Sequence, residues 1–213
     1  MPLNPAAAAA FSQTGAARRK GDTGLPLLTR DDLRRQSRFA WFCILLLAAM
    51  AAWFWSLDKR NASMGTLVAL VGCIGLILPP RERMAVLPQR LRALPRALDC
   101  TPVLATMLSS PGYGLNWFYG ENPYDEIVHL FSGAMAGAVL VALLLADGRA
   151  RSARRITLSG LVFGLLLGCL WEVFEGMTGL IGDFTDTWTD ILLTCLGATA
   201  AAIIAARRHA ARA

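Results

Sequence analysis

The stretch ALDCTPVLATMLSSPGYGLNWFY, residues 97–119, decides how many times this chain crosses a membrane. Its apolar residues suit a span, but Asp99, Pro102, Ser109, Ser110 and Pro111 argue against one. The segments around it carry no such ambiguity. A bilayer core of about 30 Å needs roughly 20 helical residues at about 1.5 Å each. Phe39 to Leu57, Asp125 to Ala146, Ile156 to Ile181 and Trp188 to Ala206 meet that need. Met64 to Leu78 is shorter but uncharged, and Pro79 and Pro80 stop it.

Charge resolves residues 97–119. Arg30, Arg34, Arg35 and Arg38 precede the first span, and Arg81, Arg83, Arg90, Arg92 and Arg96 follow the second. Arg149, Arg151, Arg154 and Arg155 follow the fourth, and Arg207, Arg208 and Arg212 follow the last. Only Lys59 and Arg60 separate the first two spans, and the connections at 120–123 and 182–187 hold no Lys or Arg. If residues 97–119 cross, every large basic cluster is cytoplasmic, as the positive-inside bias requires. If they do not, Arg149 to Arg155 are stranded outside. The expected fold is therefore all-α, a polytopic membrane protein with six transmembrane helices and both termini cytoplasmic. Its domains are a disordered basic tail over 1–37, helical from about Arg30 onward, a six-helix domain over 38–206 and a basic tail over 207–213.

Composition agrees. Of 213 residues 55% are hydrophobic and only 17% charged, a balance foreign to soluble domains of this size. The net charge of +6 would serve nucleic acid only if it formed a patch on a folded surface, whereas these residues lie between apolar runs. The expected partner is the lipid bilayer, with no nucleic acid. No apolar core follows Met1, so no cleavable leader is expected. Cys43, Cys73, Cys100, Cys169 and Cys195 are scattered through the apolar segments and read as packing thiols.

The acids gather at the outer end. Asp125, Glu126 and His129 open the fourth span, and Glu172 and Glu175 lie in the outward third of the fifth. Asp183, Asp186 and Asp190 occupy the turn into the sixth span and its start, and Glu121 lies in the preceding outer loop. No Lys or Arg stands among them. Such acids in a membrane must protonate, be hydrated or bind a cation. Asp125 and His129 are four apart, Glu172 and Glu175 three, and Asp186 and Asp190 four, so each pair shares a helix face. Gly160, Gly164 and Gly168 recur at every fourth position of the fifth span, and the series continues to Glu172 and Gly176. A close-packing face thus carries a carboxylate. Gly133, Gly137 and Gly197 let the fourth and sixth spans approach in the same way.

Asp125, His129 and Glu172 are the candidate catalytic residues. With Glu175, Asp186 and Asp190 they form the candidate ligand set for a divalent metal ion. Carboxylate with imidazole suits zinc, manganese or iron, and an all-carboxylate subset suits magnesium or calcium. No HExxH pattern is present to choose among them.

Local helix chemistry accounts for part of this. Asn122 and Pro123 read as an N-cap and first helical residue, which puts Asp125 and Glu126 where the helix dipole favours acids by about 0.3–1 kcal/mol. Thr187 and Asp190 are spaced as a capping box for the sixth span. Trp117, Trp171 and Trp188 read as an interfacial belt. Glu172 has no such explanation, since a charge near the membrane centre costs on the order of 2.5–3.5 kcal/mol.

The order YDEIVHLFSG (124–133), WEVFE (171–175) and GDFTDTWTDILLTCLGA (182–198) resembles the YjdF-type bacterial inner-membrane proteins, and more distantly the VanZ-like family. The likeness covers residues 64–205. It rests on Asp125, His129 and Gly133, then on Trp171, Glu172 and Glu175, then on Asp183, Asp186, Asp190, Gly197 and Ala198. The VanZ-like pattern has Asp-Lys before the histidine, whereas this chain has Asp125-Glu126 and a more acidic site. The resemblance implies a multi-pass protein of the bacterial cytoplasmic membrane with a shared fold and site, and it implies no reaction.

Three function classes remain. In the first, a metal-dependent enzyme activates water or polarises a phosphoryl or carbonyl group of a lipid or lipid-linked substrate. No Ser or Cys nucleophile stands beside His129, Ser132 being poorly placed, which argues against acyl-enzyme chemistry. In the second, a proton- or ion-coupled transporter uses Glu172 as its titrating group. In the third, the polar cluster only locks helices together.

Overall fold

A computed structural model of the protein describes residues 28–119, 122–178 and 184–211, and among them every regular element is helical. Six helices carry the fold: α1 (Arg38–Ser56), α2 (Arg60–Ile77), α3 (Cys100–Gly114), α4 (Tyr124–Leu145), α5 (Ala153–Thr178) and α6 (Phe184–Ala210). All but α3 are long and apolar enough to cross a bilayer. Their outward faces carry large apolar side chains such as Leu45, Val68, Leu166, Val173 and Leu192, exposed as only a lipid solvent tolerates on this scale.

The segment at 97–119 forms a helix of a different kind. A 3-10 turn, Arg96–Asp99, leads into the 15 residues of α3, with Pro102 in the first turn and Pro111 inside. At about 2.0 Å per residue for the turn and 1.5 Å for the helix, the two together extend roughly 30 Å. Its ends are pinned. Asp99, 3% exposed, takes a 2.6 Å ion pair from Arg81 and a 2.9 Å hydrogen bond from Gln36. At the far end the Gly114 carbonyl accepts from Lys59 Nζ at 2.5 Å. Between these points α3 lies antiparallel to α2, with Thr66 against Ser110 and Cys73 against Thr106. The aspartate that made the segment look unfit to span is thus held in an ionic cage at its end.

The basic clusters meet at that same end. Arg96 bonds to Glu82, Asp99 and the Ile77 carbonyl, Arg83 to Asp32, and Arg90 to Asp147 in the turn after α4 at 2.6 Å. Asp32 belongs to a short helix, Arg30–Arg35, closed by a capping box with Thr29. The expected helical onset at Arg30 is therefore present, while the expectation of a disordered tail falls mostly on residues 1–27, outside those described. At the other terminus α6 continues to Ala210.

Two packing units result. Cys43, Ile44, Leu47, Leu70, Cys73, Ile77 and Val103 form the core of α1, α2 and α3. In the second unit backbones touch. Gly133 and Gly137 lie against Thr194 and Ala198, Gly164 and Gly168 against Cys195 and Ile191, and Gly197 against the Leu130 carbonyl. α6 is therefore sandwiched between α4 and α5, and α3 packs on α4 to join the units. All five cysteines are free.

Three local expectations fail, the first being Asn122 as N-cap and Pro123 as first helical residue, since Pro123 itself is the N-cap before Tyr124. α6 already begins at Phe184, so Thr187 and Asp190 lie inside the helix and form no capping box. The glycine series of α5 ends at Glu172, since Gly176 is exposed and Glu175 takes the buried position instead.

Candidate functional site

Three of the candidate side chains stand one turn beyond a backbone contact. His129 precedes Gly133 by four residues, Glu172 follows Gly168 by four, and Asp190 precedes Thr194 by four. Because those contacts bring α4, α5 and α6 to van der Waals distance, the side chains one turn beyond must converge. Asn122 helps to set the start of α4, its Oδ1 accepting from the Tyr124 N–H at 3.0 Å.

His129 is the hinge of the cluster. Its Nε2 lies 3.5 Å from Asp125 Oδ1 and 3.4 Å from Asp190 Oδ2, and its Nδ1 lies 3.2 Å from the Thr194 hydroxyl. Ligand atoms of Asp125, His129 and Asp190 all fall within 4.8 Å of one another, and so do those of Glu172, Glu175 and Asp190. Asp190 is common to both triads. Four of these five residues are buried, Asp190 at 2%, Glu172 at 6%, and His129 and Glu175 at 8% exposed. The basic residues of α5 and α6, Arg154, Arg155, Arg207 and Arg208, sit at the opposite ends of those helices.

Hydrogen bonding divides the carboxylates. Glu175 Oε1 accepts from the Trp171 indole N–H at 2.9 Å. Among the described residues neither oxygen of Glu172 has a hydrogen bond of ordinary geometry, although Thr187 stands beside it on α6, and Asp190 Oδ2 has only the longer approach to His129. A buried carboxylate so placed is costly unless a proton or a cation meets it.

Asp186 is half-buried one turn before Asp190 and belongs to neither triad. Glu121 and Asp183 lie outside the described residues. Two participants escaped the sequence reading. Trp171, assigned there to the interfacial belt, donates to Glu175, and its four-residue spacing was the available signal. Thr194 is the other, visible only once α6 is docked against α4.

A cavity of about 690 Å³ adjoins the cluster, bounded by α2, α3, α4 and α5. Asp125, His129, Trp171 and Glu175 form its polar wall, and Gly65, Ala69, Ala105 and Ala136 its apolar one. Ser109 and Thr106 turn their hydroxyls back to carbonyls of their own helix, while Tyr113 adds a phenol to the α3 side. The Ser132 hydroxyl is buried there with no hydrogen-bond partner among the described residues.

The family described as "Predicted membrane protein (DUF2238)" matches residues 38–211, which take in all six helices. No curated protein and no solved structure matches the chain.

Proposed function

The chain belongs to the DUF2238 family of predicted membrane proteins, and on that premise we propose that it holds a divalent cation among Asp125, His129, Glu172, Glu175 and Asp190 and uses it on a lipid or lipid-linked substrate. The observation that carries this is Glu172, buried beside Glu175 and Asp190 with neither oxygen in a hydrogen bond of ordinary geometry among the described residues. A cation supplies what the sequence withholds, a positive partner for carboxylates in an apolar surround. Asp186 adds an oxygen donor one turn away.

The reading includes six crossings with both termini in the cytoplasm of a bacterial cell and the site facing outward. Support comes from the roughly 30 Å reach of α3 with its preceding turn and from the meeting of the basic clusters at one end. The more distant VanZ-like likeness rests on the same three motifs and adds no chemistry.

In the enzyme form of this proposal, His129, Glu172, Glu175 and Asp190 would hold the cation, which would supply Lewis acidity toward a phosphoryl or carbonyl oxygen at the polar wall. Asp125, half-buried and facing the cavity, is the base for an attacking water. A proton-coupled carrier is the rival. Against it, the interface inward of Thr194 is filled by Gly137, Gly160, Gly164, Ala198 and Ala202 in close contact, which offers a proton no polar steps.

Calorimetric titration of chelator-treated protein with manganese, zinc and magnesium tests the proposal. One saturable site is expected, abolished by Glu172→Gln. Titration without heat for all three metals, in protein that still unfolds cooperatively, would refute it.

A further inference from the structure

We propose, resting on the cation-site reading, that the substrate is a membrane lipid with an anionic phosphate head, which enters sideways between α2 and α5 and places its head at Lys59. The entry follows from which helices pack. α2 packs on α3, α3 on α4 and α4 on α5, but α2 and α5 face each other across the cavity with at most marginal contact. On that side the cavity is flanked by residues 61–69 of α2 and 167–175 of α5, two helices long and apolar enough to cross a bilayer, so what reaches it first is bilayer lipid.

The α2 wall is built to leave room. Ala62, Gly65 and Ala69 share one face of that helix at spacings of three and four, and a Cβ at Gly65 would meet nothing within 4 Å. The space of about 690 Å³ lies within the range that encloses a drug-sized ligand. A lipid chain matches its apolar lining.

The head is identified by charge. A second pocket, of about 400 Å³, adjoins the first at Asn61, Ala62 and Tyr113, and Lys59, Arg60 and Asn116 line it. Arg60 is already engaged, its Nε 2.8 Å from Asp58 and its guanidinium stacked over Trp55 at 3.8 Å. Lys59 is half-buried, donates once to the Gly114 carbonyl at 2.5 Å and has no ion pair with a carboxylate among the described residues. An ammonium carries three protons, so two remain for an anion. Phosphate suits this end of the arrangement, because its oxygens accept from an ammonium in charge-assisted hydrogen bonds. Free phosphate would leave the apolar cavity without purpose.

The test is lipid binding to the full-length protein by native mass spectrometry, with dioleoyl phosphatidic acid and dioleoyl phosphatidylcholine as probes and metal content read on the same samples. The parent should prefer the anionic lipid by about tenfold, the scale of one charge-assisted hydrogen bond. Lys59→Gln, which keeps a donor for Gly114, should erase that preference and retain the metal. Gly65→Leu, which fills open space, should weaken both lipids and also retain the metal. Equal binding of the two lipids by the parent, or parental binding by Gly65→Leu, would overturn the proposal. Loss of metal with anionic preference intact would instead defeat only the cation reading.

Discussion

His129 Nε2 stands 3.4 Å from Asp190 Oδ2 across the interface of α4 and α6, one turn beyond the point where Gly133 rests on the backbone of Thr194. Packing and site are therefore one construction. The glycine contacts set the separation of the helices, and that separation sets the reach between imidazole and carboxylate.

Asp190 is shared by both triads and Asp186 by neither. Asp190→Asn is expected to lower manganese affinity by at least about tenfold, on the scale of losing one charged ligand, and Asp186→Asn by much less. Electron paramagnetic resonance of bound manganese reads both. Equal losses in the two variants would show that the triads do not define the site.

Packing at Gly164 leaves no space, since an added Cβ would lie 2.7 Å from Cys195 Cα. Gly164→Ala should destabilise by about 1–3 kcal/mol, the usual cost of overpacking. Gly72→Ala, where a Cβ meets nothing within 4 Å, should be neutral or stabilising by up to about 1 kcal/mol. Thermal unfolding in detergent orders the two, and a Gly164→Ala protein as stable as its parent would contradict backbone contact there.

This face of α5 was legible in the sequence because small residues at every fourth position can line only one side of a helix, and Glu172 falls on that side. The pairings of Trp171 with Glu175 and of Thr194 with His129 were less legible. Trp171 suits a membrane interface and a hydrogen bond equally, and Thr194 gains a role only through the neighbour that α6 meets. The supposed capping box failed because its spacing also occurs inside a helix. Residues 97–119 stayed ambiguous by hydropathy because Asp99 reads as a membrane charge until Arg81 and Gln36 are seen to hold it at the helix end.

The basic end should respond to acid. Two hydrogen bonds from the Arg151 guanidinium, at 2.6 and 2.7 Å, outweigh desolvation and, with the Arg149 N–H and the nearby Arg151 and Arg90 charges, hold the Asp147 carboxyl well below the usual carboxylate range. A carboxyl depressed by folding stabilises above its unfolded value, about 3.9, and loses that contribution as pH falls toward the folded one. Asp147→Asn should therefore lower Tm at pH 7, by a margin that narrows once the pH drops below about 4. A margin unchanged down to pH 2 would contradict the linkage.

On the proposed six crossings, Trp117, just past α3, lies on the outer surface. In a cysteine-free background, Trp117→Cys should react with a membrane-impermeant maleimide applied to intact spheroplasts, and a cysteine at Arg92 should react only after lysis. The reverse pattern would invert the topology, and protection of both positions would remove the α3 crossing.

The most direct test is elemental analysis of the purified protein beside Glu172→Gln and His129→Ala variants of equal thermal stability. Near-stoichiometric divalent metal in the parent and its loss from both variants is the predicted result. A parent that folds cooperatively yet carries no metal, even after incubation with manganese, zinc and magnesium, would contradict the cation site.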